Sequence, residues 1–147
     1  MRACIAALTL LAAIPLAADA GDVRANFVVS AVVPARASLE AATQPALLSV
    51  SEDDVGRGYV DVAAAYRVRN NDPAGYLLRL VPLVGLTSAI EVSGLATRVV
   101  MREDVVEVTQ PAALQARDLN LRFRLTLDPG ATAGIYPLPV QVSVATL

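Results

Sequence analysis

The chain has 147 residues, a net charge of −2, twelve basic residues that are all Arg, no His, and 55% hydrophobic but only 4% aromatic side chains. With no net basic balance and no clustered basic patch, it lacks the electrostatic footprint of a nucleic-acid binder. Without His, and with Cys4 as its only cysteine, it also lacks the usual general base near neutral pH and the commonest zinc and copper ligands.

The first twenty residues read as a signal peptide that is removed. Met1-Arg2 is a short basic start, Ile5 to Ala17 is almost wholly apolar, and Ala18-Asp19-Ala20 fits a small-x-small cleavage site. The apolar run is shorter than the roughly 20 residues of a membrane span, and no other stretch is long and apolar enough to span. Removing residues 1–20 from 147 leaves 127, read as a single domain over 21–147. Its size suffices for a core without staples. Because Cys4 lies inside the signal, the mature chain can form neither a disulfide nor a thiolate metal site. The all-Arg basic set and Ala-rich composition suit the codon bias of a GC-rich bacterial genome.

After the signal, Phe27, Val29, Ala31 and Val33 alternate with Asn26, Val28, Ser30 and Val32. This predicts a strand with valines on both faces, covered on two sides or paired with another chain. Pro34 ends it or forces a switch, and Ala37 to Glu40 can resume it after a bulge. Leu47 to Val50 reads as a short strand, and Ser51 to Gly58 as a loop. Glu52, Asp53 and Asp54 do not have the alternating ligand spacing of an EF-hand, so a solvated acidic loop is expected.

From Tyr59 to Arg69, Val60, Val62, Ala64, Tyr66 and Val68 share one face. Asn70 to Gly75 is rich in turn formers, and Tyr76 to Leu83 returns with Tyr76, Leu78 and Leu80 inward. The expectation is a hairpin. Arg67, Arg69 and Arg79 would then form one exposed basic stripe, either facing an acidic partner or, by preference, simply solvated. Brief strands are expected around Ile90 to Val92, over Leu95 to Met101, and over Val105 to Val108. Pro111 to Arg117 has room for one helical turn.

The clearest alternation is in Leu119 to Val144. Leu119, Leu121, Phe123, Leu125 and Leu127 lie on one side; after Asp128-Pro129-Gly130 and Gly134, Tyr136, Leu138, Val140, Val142 and Val144 do the same. This too reads as a hairpin. The fold class is therefore all-β: an antiparallel immunoglobulin-like β-sandwich of seven to nine short strands.

The available chemistry is sparse. No Ser sits in a nucleophile-elbow context, no phosphate-cradling glycine loop is present, and the carboxylate clusters Glu52/Asp53/Asp54 and Glu103/Asp104 fall in turns. The expectation is a non-enzyme with no cofactor, no metal and no catalytic residues.

Three segments resemble spore coat protein U-like secreted pilin domains: ANFVVSAVVPARASLE (25–40), YRVRNNDPAGYLLRL (66–80) and DPGATAGIYPLPVQVSV (128–144). They correspond to the opening strand with its Val-Pro step, the central Asn- and Gly-bearing turn, and the closing Gly-x-Tyr with a final strand. Two features depart from that group. Arg36, Ala37 and Ser38 stand where a Cys is usual, and the chain ends Val144-Ala145-Thr146-Leu147 without a near-terminal Tyr. The resemblance implies an exported, non-catalytic subunit of a surface fibre or adhesive layer of a Gram-negative bacterium, in the periplasm, at the cell surface or outside the cell. Its partners would be other protein subunits and a periplasmic chaperone, and its mechanism strand donation. The donor expected here is Arg24 to Val33. The alternatives are a self-contained periplasmic or secreted binding module and, ranked last for want of exposed aromatics beyond Tyr59, a carbohydrate-binding sandwich.

Overall fold

The structure is a computed structural model that describes residues 28–147; the segment 1–20 expected to be a signal peptide, and Phe27 of the expected donor, lie outside that range. Ten strands and one short helix follow in order. They are β1 (Ala37–Thr43), β2 (Leu47–Val50), α1 (Glu52–Arg57), β3 (Tyr59–Asn70), β4 (Tyr76–Pro82) and β5 (Thr87–Ser93). Then come β6 (Val99–Met101), β7 (Val106–Gln110), β8 (Arg117–Leu127), β9 (Gly134–Pro137) and β10 (Val140–Thr146). One layer is a five-stranded sheet, β1-β3-β8-β5-β6; the other comprises a three-stranded sheet, β10-β4-β7, and a two-stranded ribbon, β2-β9. Every pairing is antiparallel. The chain is thus an all-β antiparallel sandwich, with slightly more strand segments than the seven to nine expected.

Alternation builds the core. Leu119, Leu121, Phe123, Leu125 and Leu127 of β8 are buried, and the residues between them are exposed. Val60 to Val68 of β3 and Tyr76, Leu78 and Leu80 of β4 follow the same rule. A single apolar cluster draws side chains from both layers. Each buried Leu or Phe contributes about 1.5–3 kcal/mol of transfer free energy, which suits a core made almost entirely of aliphatic groups.

Two expected hairpins are overturned. β3 pairs with β1 and β8, whereas β4 pairs with β10 and β7. β8 pairs with β3 and β5, while β9 and β10 pair in the other layer. Both turns therefore carry the chain from one layer to the other. The turn signals correctly mark reversals, but a reversal does not specify the partner. Among the described residues only β5 and β6 pair as close sequence neighbours.

Side chain–backbone hydrogen bonds hold the β3–β4 crossover. Buried Asn70 donates from Nδ2 to the carbonyls of Asp72 and Gly75, each at 2.9 Å, and its Oδ1 accepts from the Asp72 N–H. Gly75 has φ +110°, and a Cβ there would collide with the Gln110 carbonyl oxygen. Only glycine fits such an approach.

Three smaller expectations also change. The presumed loop over 51–58 is the helix α1, closed by a capping box: the Ser51 hydroxyl accepts from the Asp54 N–H and the Asp54 carboxylate accepts from the Ser51 N–H. Gly58, at φ 79°, ends it in the left-handed region. Pro111 to Arg117 forms no helical turn, and residues 28–36 form no strand.

Tyr66 carries an unmatched polar group in the core. It is 1% exposed, and among the described residues its hydroxyl has no hydrogen-bond partner. Desolvation pushes its pKa up to about 12. The unfolded chain releases this proton near pH 10, so the folded state binds more protons between pH 10 and 12 and loses stability as pH rises through that window.

Two outcomes follow for urea and thermal unfolding. Gly75→Ala should cost about 2 kcal/mol or more, through backbone strain and the clash with Gln110. Tyr66→Phe should raise stability by about 1 kcal/mol at neutral pH, by removing an unmatched hydroxyl, and should flatten the decline between pH 10 and 12. A destabilised Phe variant would contradict this account of Tyr66.

Candidate functional site

The charged residues of the described chain are spent mostly on structure. Asp54 serves the α1 cap and meets Arg57; hydrogen bonds from Ser51 and Arg57 hold its pKa down at about 2. Glu52 and Asp53 occupy the same first turn, where acidic side chains complement the helix end. Among the described residues no three potential ligands cluster to hold a metal ion, and no helix is long and apolar enough to cross a membrane.

The expected basic stripe does not exist as one surface. Arg67 and Arg69 stand on the outer face of β3, in the five-stranded sheet, and Arg79 stands on β4 in the other layer. The stripe rested on the hairpin that the topology replaces. Arg67 meets Asp118 at 3.1 Å, and Arg79 lies 3.6 Å from Glu107. Asp61 pairs with Arg124 through two hydrogen bonds of 2.8 and 3.0 Å, which lowers the Asp61 pKa. Arg124 and Arg57 both lie over the Tyr59 ring, at 4.6 and 5.3 Å from its centroid. Exposed pairs of this kind contribute little to stability. They dress a solvated face, and Tyr59 offers no open aromatic platform.

The unusual feature is a strand edge. Leu138 donates its N–H to the Ala46 carbonyl, and Leu83 donates its N–H to the Pro139 carbonyl. β9 and β10 thus form one nearly continuous strand, flanked by β2 along its first half and by β4 along its second. Main-chain groups alternate sides along a strand. With Pro139 facing β4, the N–H and C=O groups of Val140, Val142, Val144 and Thr146 point the other way. Among the described residues no strand pairs with that side.

The packing beside this edge is incomplete as well. Val140 is buried, but Val142 and Val144 are only half-buried. β1 approaches from the other layer without forming a ladder, and its inward Ala37 and Leu39 are half-buried too.

The remaining edges are guarded. β6 has three residues and β2 has four. β1 carries Glu40 and a register shift between Ala41 and Thr43, and β7 carries Glu107 and is followed by Pro111. Short length, bulges, charge and proline are the usual means of keeping an edge unpaired. β10 has seven residues, with uncharged Gln141, Ser143 and Ala145 outward and no proline.

Of the expected donor residues, Phe27 lies outside the described residues, and Val29, Ala31 and Val33 are exposed on a stretch with no strand pairing. Val28, Val29 and Val32 are each at least 90% exposed. Sequence reasoning singled out these valines but not the β10 edge, because an edge is defined by which strands pair. No protein-family model, curated protein or solved structure matches the chain.

Proposed function

We propose that this chain is a non-catalytic, exported structural subunit of a surface fibre or pilus-like layer, assembled by strand donation. In this reading the segment ending at Val33, from about Arg24, pairs with the β10 edge of another copy. The observation that carries it is the seven-residue β10 edge without charge, proline or bulge, in a chain that also bears an unpaired run of exposed valines.

The energetics suit such a partner. The edge offers main-chain hydrogen bonds, each with a net contribution of about 0.5–1.5 kcal/mol. Half-buried Val142, Val144, Ala37 and Leu39 offer apolar surface for alternate side chains of an incoming strand. Unpaired edges of this length invite aggregation, so a periplasmic chaperone that covers β10 before assembly belongs to the same proposal.

Size-exclusion chromatography with light scattering tests it. The exported chain should form multimers, and deletion of residues 22–34 should leave a folded monomer. Val144→Pro removes an N–H that faces the open side, so the ladder with β4 stays intact. It should weaken association about tenfold or more, from one lost bond and the bulk of the ring. A truncated protein that stays folded and assembles as before would show that this segment is not the donor. A globular monomer whose valine run is protected within its own chain would instead indicate a self-contained binding module.

A further inference from the structure

Asn71 is exposed on the β3–β4 crossover, yet among the described residues its hydrogen bonds all go to one tripeptide. Its Oδ1 accepts from the Arg36 N–H at 2.6 Å, its Nδ2 donates to the Pro34 carbonyl at 2.9 Å, and its own N–H donates to the Arg36 carbonyl at 3.1 Å. The crossover does not need this side chain, because Asn70 and Asp72 already supply the turn's internal bonds. Asn71 therefore acts as a latch on Pro34-Ala35-Arg36, the link between the valine run and β1.

The geometry of the link gives the latch its meaning. Between Val33 and Ala37 the backbone has neither turn nor bend. Pro34 restricts Val33 to extended conformations and fixes its own φ. β1 starts opposite Asn70 at the end of β3, and β10 finishes opposite Tyr76, just across the crossover. β1 and β10 thus run antiparallel, in different layers. For the valine run to pair with the β10 edge of its own chain, the backbone would have to reverse at Pro34–Arg36. That reversal would break the bonds Asn71 makes to both sides of Ala35.

We infer that Asn71 is a positioning residue that holds the link straight, disfavours closure of the valine run onto its own β10 edge, and so reserves that run for a second copy. The inference rests on the strand-donation reading, and it adds the element that decides between a self-closed monomer and a polymer.

The test compares the full exported chain with Asn71→Ala and Asn71→Asp by sedimentation velocity and amide hydrogen exchange. Asn71→Ala should shift the monomer-to-multimer ratio at least tenfold toward monomer, with an unchanged melting temperature. In that monomer the amides of Val142, Val144 and Thr146 should be protected by self-pairing. Asn71→Asp, which keeps the acceptor for the Arg36 N–H, should fall between the two. A Gly-Ser-Gly insertion after Ala35 loosens the same link without touching the crossover and should reproduce the shift, which covers the case of a poorly folding Asn71 variant. Insertion and Asn71→Ala variants that assemble like the parent would overturn the latch while leaving donation in place. A parent that stays monomeric, with a size unaffected by deleting residues 22–34, would overturn both.

Discussion

The constraint on which this molecule depends is that every strand carries two rows of main-chain hydrogen-bonding groups, and a sheet satisfies both only for its inner strands. The five-stranded layer meets it with long central strands, β3 and β8, paired along most of their length. The other layer is narrower, and its β9–β10 strand has β2 beside only its first half. The unguarded run of polar groups on β10 follows directly from that mismatch in width. A fourth full-length strand in the second layer would remove it.

The core shows how little chemistry is needed to hold two such layers together. Nearly all of its contacts are aliphatic, with Phe123 and Tyr66 as the largest fully buried side chains. Among the described residues the buried polar side chains stand at strand ends: Asn70 organises the crossover between layers, and Gln110 ends β7. Charged groups stay outside, in cross-strand pairs such as Arg124–Asp61. Oily interior and paired outer charges are thus kept apart on opposite faces of each sheet.

Much of the fold was legible in the sequence, for one reason. A period of two in Leu119–Leu127 or Val60–Val68 reports which side chains face inward, and the burial pattern follows it residue by residue. What alternation does not report is the partner of each strand. Asn70–Gly75 and Asp128–Gly134 look like hairpin turns because turn chemistry depends on local φ and ψ, while the choice between returning to the same sheet and crossing to the other depends on distant packing. The basic stripe of Arg67, Arg69 and Arg79 failed with that choice. The α1 helix was missed although Ser51 and Asp54 have capping-box spacing, because Asp stands where Glu or Gln is usual and the helix has only six residues. The valine run was visible, but the open β10 edge was not, since an exposed edge is a property of the assembled sheet.

β10 is one edge and the valine run is one tail, on surfaces that are not copies of each other. Under strand donation such a contact is heterologous, and heterologous contacts extend into open filaments unless their rotation happens to close a ring. Any filament would therefore have two chemically different ends, one presenting a bare β10 and the other a bare tail. Length control would then fall to a capping molecule that matches one end and not the other.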